Sequence, residues 1–177
     1  MKMRNLAVVA AAAAVLLGTA GAQASAGAQA SGPEVPDAVR VPAGNVLVAA
    51  FLARGVQVYQ CTGGAWSFVE PAAHLAGWAK RPGSLATAVH FRGPTWESTE
   101  DGSLVEAKAV ASSPVPGSIP QLLLQATRTR GDGVLGAVSY IQRLSTRGGT
   151  APAGTCTDGA TTGVPYTADY RFYQPAS

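Results

Sequence analysis

The chain has 177 residues and carries a formal net charge of +3, with 13% charged residues, about half the usual share for a globular protein. Lys2 and Arg4 lie in the first 24 residues, and beyond them 11 Lys and Arg face 10 Asp and Glu. So near-neutral a body generates no field to gather polyanions, which argues against nucleic acid as a partner.

The N-terminus reads as an address. Two cations precede an unbroken apolar run from Leu6 to Leu17, and Ala22-Gln23-Ala24 offers small residues at the positions a signal peptidase accepts. Residues 1–24 are therefore expected to be a signal peptide cleaved after Ala24, leaving a secreted protein. No later run approaches the ~18 apolar residues of a membrane span, so the mature chain is expected to be soluble or loosely attached to the cell envelope. Residues 25–40 are mostly Ala, Ser, Gly, Gln and Pro and predict a flexible leader, followed by a single β domain over 41–177.

Short strands then follow one another. Val46 to Leu52 is apolar and rich in branched residues, and Arg54-Gly55 predicts a turn into Val56 to Cys61, where apolar and polar residues alternate. Gly63-Gly64 makes the next tight turn, and Trp66 to Phe68 continues the meander until Pro71. Pro71 to Gly83 has helical character, with Ala72, Ala73, Leu75, Ala76, Trp78 and Ala79 available to one face of a short helix. Ala86 to Phe91 resumes as a strand, Gly93-Pro94 punctuates, and Asp101-Gly102 is a favoured hairpin turn.

Leu104 to Ala111 alternates again, with Val105, Ala107 and Ala109 opposite Glu106 and Lys108. Pro114, Pro116 and Pro120 mark a loop before Gln121 to Thr127, where three successive leucines predict burial on both faces. Gly131, Gly133 and Gly136 turn the chain into a strand containing Tyr140, Gln142 and Leu144 on one face and Ile141 and Arg143 on the other. The last strand sets Tyr166, Ala168, Tyr170 and Phe172 against Thr167, Asp169 and Arg171. The expected fold is all-β: an antiparallel sandwich or closed barrel of about eight or nine short strands with one short helix.

Cys61 and Cys156 are the only cysteines, and in an exported chain they are expected to form a disulfide. A free nucleophile or a metal thiolate is the alternative, but no His or further Cys stands at the spacing either would need. A bridge closing roughly a hundred residues stabilises by about 4 to 5 kcal/mol in the loop-entropy model.

His90, Trp96, Glu97 and Asp101 form the densest polar and aromatic cluster. Glu97 with Asp101 or His90 would suit glycosidase-like acid and base roles, and Trp96 would offer a stacking face to a sugar ring. A lone strand His is more often structural, however, and acids are common beside turns, so these three are catalytic candidates only. Tyr140 and Arg143, with Trp96, are the binding candidates, since Tyr, Trp and Arg supply contact area and hydrogen bonds at interfaces. No metal site and no cofactor is expected. Gly131 to Gly136 has Gly-x-Gly-x-x-Gly spacing but lies between two strands, without the helix that would hold pyrophosphate, and reads as a hairpin loop.

Six strings in fixed order carry a resemblance to a known family. They are Val41 to Asn45, Gly55 to Cys61 with Trp66 to Phe68, His90 to Glu97, Ile119 to Leu124, Tyr140 to Arg143 and Pro165 to Tyr170. Together they resemble a secreted bacterial and fungal family, domain of unknown function 3455, over essentially all of Val41 to Tyr173. The resemblance implies no particular activity. Some fungal members carry a malate dehydrogenase label, for which this sequence offers no dinucleotide site.

Three functions are expected from these readings. The first is a binding or surface-associated module, its partner unknown and a cell-envelope glycan or protein among the candidates. The second is an extracellular carbohydrate hydrolase using Glu97 with Asp101 or His90. The third is a barrel that carries a small apolar ligand inside.

Overall fold

The computed structural model describes residues 35–80 and 85–177. The signal peptide expected over 1–24, and leader residues 25–34, lie outside them. Eight strands follow in order: β1 (Asn45–Thr62), β2 (Ala65–Ala79), β3 (Leu85–Phe91), β4 (Thr95–Ser98), β5 (Leu104–Val115), β6 (Ser118–Arg130), β7 (Tyr140–Gly148) and β8 (Thr161–Pro175). Each pairs antiparallel with the next, and β8 returns to pair with β1 from Asn45↔Pro175 to Gln60↔Thr161. Of the two expected architectures the chain forms the closed barrel, which leaves no sheet edge to solvent.

The period of two explains which side of each strand faces in. Along β1, Ala49, Phe51, Ala53, Gln57, Tyr59 and Cys61 are buried inside while Leu52, Arg54 and Gln60 face out. On β8, Tyr166, Ala168, Tyr170 and Phe172 are buried as the sequence predicts. The outer wall is mixed, with Arg54, Lys108 and Arg128 exposed beside apolar Leu52, Trp78 and Val110. No helix among the described residues is long and apolar enough to cross a membrane.

Three local expectations are corrected. The turn at Arg54-Gly55 is absent, and β1 runs through it as one strand of 18 residues. Gly55 faces inward where β1 presses against β2, and a Cβ there would strike the Ala72 carbonyl and Ala73. Glycine serves close approach here, not a turn. The expected helix from Pro71 is also strand: β2 continues to Ala79, burying Pro71, Ala73, Leu75 and Ala79 with Ala72, His74, Ala76 and Trp78 outside. Alanine on both faces hid this alternation, and pairing of Ala73 with both Gly55 and His90 overrides its helical propensity. Residues 81–83 of that expected helix lie outside the described residues.

The third correction concerns residues 35–40, placed by composition in the flexible leader. Asp37–Val39 forms a 3-10 turn against the outside of the barrel, where Val39 is fully buried with Leu123 and Leu144. The Gln142 side-chain amide donates to the Val39 carbonyl at 2.6 Å. This cover is why the three leucines of β6 are needed on both faces: Leu124 packs inside and Leu123 beneath the N-terminal segment.

One end of the barrel is plugged. The β6–β7 connection, which includes the Gly131 to Gly136 string, sends Leu135 and Val138 into the core with Phe51, Ile141 and Phe172. The string is a loop between strands, as expected. Asp101 fixes it, accepting hydrogen bonds from the Ser103 and Val134 N–H groups at 2.9 Å each, while Ser103 Oγ accepts from the Leu135 N–H at 2.9 Å. At the opposite end lie the β1–β2, β3–β4 and β5–β6 turns and the long β7–β8 connection.

Candidate functional site

A cavity of about 340 Å3 occupies the barrel interior toward that second end. Its floor is aromatic. His90 on β3 and Trp96 on β4 are cross-strand partners and stack flat, 4.1 Å between centroids with planes 6° apart. Tyr170 on β8 stands edge-on to both, at 5.4 and 5.5 Å, and Phe172 closes the layer behind Trp96 at 6.1 Å. Leu122, Leu124 and Ile119 form an aliphatic wall, and Phe68, Pro71, Gly93 and Pro94 complete the lining.

Polar groups enter this apolar space from β1, β7 and β8. Gln57, buried on β1, leaves its amide nitrogen without a partner, and so do the Trp96 indole N–H and the Tyr166 and Tyr170 hydroxyls. Tyr166 lies close to both Gln57 and Tyr170, and Tyr170 close to Arg143, near enough for hydrogen bonding to shift their protonation though not aligned as full hydrogen bonds. Four such groups together is unusual, because buried polar atoms are nearly always paired. Burial pushes both tyrosines above their ordinary pKa, so they remain neutral hydroxyls.

Arg143 supplies the charge. It faces inward from β7, between Leu122 on β6 and Tyr170 on β8, and its Nε donates to the Pro120 carbonyl at 3.1 Å. Its positive field reaches Tyr59, His90 and Tyr170. His90 itself is neutral. Burial drives its pKa down to about 3, opposed by its hydrogen bond to the Thr95 carbonyl and reinforced by Arg143. Nδ1 lies 2.8 Å from the Thr95 carbonyl, so the neutral ring donates there and keeps Nε2 as its acceptor.

The mouth is held by a staple. Cys61 and Cys156 are bridged, with Cα atoms 5.9 Å apart, tying the β7–β8 connection to the end of β1. Asp158 accepts from the Gly64 N–H at 3.0 Å, and the Tyr59 hydroxyl donates to the Gly149 carbonyl at 2.6 Å. Gly149 has φ +77° and sits directly on the site: a Cβ there would lie 2.9 to 3.1 Å from Tyr166, Gln57 and Ile119. The connection thus covers the cavity's β1 side.

Not every candidate from the sequence reaches this cavity. His90, Trp96 and Arg143 line it. Glu97 faces the outer wall and pairs with Arg130 at 3.0 Å, Asp101 holds the plug loop, and Tyr140 packs outside the barrel beside the Val39 cluster. Glu97 and Asp101 therefore do not converge on His90. Gln57 was not among the candidates, because polar Gln57 between Val56 and Val58 suggests an outward side chain. The inward positions of Tyr59 and Cys61, two and four residues on, are the signal that places Gln57 inside.

Fold and site define an up-and-down antiparallel barrel of eight strands, plugged at one end and hollow toward the other, with aromatic floor and donor-rich wall. The family model for proteins of unknown function DUF3455 matches residues 42–174, and the chain belongs to that family. No curated protein and no solved structure matches it significantly.

Proposed function

We propose that the protein binds a small, flat, largely apolar molecule inside its barrel. The observation that carries this reading is the cavity itself: about 340 Å3, floored by the stacked His90–Trp96 pair and lined by three residues, Gln57, Trp96 and Tyr170, that each carry a buried, unpartnered polar atom. That volume falls in the range of small-molecule sites, and a mostly apolar lining with a few convergent polar atoms is their usual composition. The hydrolase reading through Glu97 and Asp101 draws no support from side chains on the outer wall and in the plug. We also propose that the domain works after export, a reading with which the Cys61–Cys156 bridge is compatible.

The test is titration of the purified protein with 2-naphthol, a neutral two-ring probe, followed through assigned amide and indole resonances. Saturable shifts at Gln57, His90, the Trp96 indole and Tyr170 are expected. Shifts confined to the outer-wall residues Leu52, Trp78 and Leu85, which are exposed apolar side chains, would refute the interior site.

A further inference from the structure

Resting on the reading that a ligand enters the barrel, we infer that this ligand is a small aromatic acid whose carboxylate is held by Arg143. The charge inventory of the wall is one-sided. Arg143 is the one permanently charged side chain among the lining residues, and no Asp or Glu lines the cavity. Among the described residues no carboxylate forms an ion pair with Arg143. Its Nε is satisfied by the Pro120 carbonyl at 3.1 Å, and the guanidinium stands beside the Tyr170 hydroxyl with no carboxylate facing it.

The neighbouring polar groups have the same bias. Gln57 Nε2, Tyr166 Oη and Tyr170 Oη are buried without partners, and Tyr170 lies close enough to Arg143 for the guanidinium to favour its charged form. His90, neutral and hydrogen-bonded to Thr95, offers no counter-charge. A half-buried cation in a cavity also lined by the Gln57 amide and the Tyr170 hydroxyl is complementary to an oxyanion, and a guanidinium fork matches the two oxygens of a carboxylate.

Shape sets the rest of the molecule. A cavity of about 150 Å3 admits benzene, and this one, at about 340 Å3, is roughly twice that. Two fused rings, or one ring with a short chain, would lie on the aromatic floor against Leu122 and Leu124 while the carboxylate meets Arg143.

Calorimetric titration at pH 7 with naphthalene-2-carboxylate and its isostere naphthalene-2-carboxamide decides the matter. The acid is expected to bind at least about tenfold more tightly, as a charge-assisted contact in a desolvated site warrants. Arg143→Gln should shrink that preference to within about threefold, and Tyr170→Phe, which keeps the cation, should reduce it partially. The wild-type comparison needs no variant, so a misfolded Arg143→Gln would leave the test intact. Equal affinity for acid and amide would overturn the carboxylate assignment while sparing the interior site. If neither compound bound, and 2-naphthol gave no interior shifts, both readings would fall.

Discussion

His90 shows how burial alone can assign a residue's state. It is 3% exposed, stacked on Trp96, and held by the Thr95 carbonyl, with its pKa pushed down to about 3. The fold keeps the neutral ring, whereas the unfolded chain takes up a proton below its ordinary value of about 6.5. Stability is therefore complete above that value and declines as the pH falls from about 6.5 to about 3, by up to about 1.4 kcal/mol per pH unit from this residue. Denaturant midpoints measured across that window should fall toward acid in the wild type and fall less steeply in His90→Gln. An unchanged slope in the variant would show that the ring is accessible to protons in the folded protein.

At the scale of elements, the plug loop is the most exposed to test. Its Leu135 is fully buried, yet the loop has no strand ladder to hold it and depends on Asp101 and Ser103. Burial pushes the Asp101 carboxyl up, but hydrogen bonds from Ser103, Val134 and Ser98 outweigh it and hold the group below its ordinary value. Asp101→Ala should cost about 1 to 3 kcal/mol, the scale of hydrogen bonds lost from one acceptor, and speed hydrogen exchange at the Val134 amide. Exchange unchanged at Val134 would mean that the loop is held by Leu135 packing alone.

The same elements show what the sequence made legible. The period-two pattern of β8 named its inward residues, whereas in β5 it holds for Val105 and Ala107 but fails at exposed Ala109 beyond a bulge. In β7 it separated two faces without telling that Ile141 and Arg143 turn in while Tyr140 and Leu144 lie under the N-terminal segment. Alanine-rich β2 hid its pattern, since a side chain as small as Ala73 or Ala76 fits either face and also favours helix. Gly55 was misread because close strand approach and turning call for the same residue. At the site, Trp96, His90 and Arg143 stood out by chemistry, but their convergence from β3, β4 and β7 depends on register around a closed barrel, which is a long-range property. Glu97 and Asp101 sit beside His90 in sequence and lie apart from it because alternation and a turn send them elsewhere.

For the whole molecule, one covalent link joins stability to the site. The Cys61–Cys156 bridge pins the β7–β8 connection over Gln57 and Tyr166 through Gly149 and Tyr59. Reduction should lower stability by about 2 to 4 kcal/mol and weaken 2-naphthol binding, since the cover over the cavity would loosen. Reduced protein that melted at the same temperature and bound the probe equally well would separate the staple from both roles.

Whether the barrel's hollow end receives a ligand is decided by intermolecular nuclear Overhauser effects from bound 2-naphthol. Cross-peaks are expected from the probe's ring protons to Trp96, Leu124 and Tyr170, whose side chains enclose the space. Cross-peaks to Trp78 and Leu85 on the outer wall, with none to Trp96 or Tyr170, would contradict binding inside the barrel.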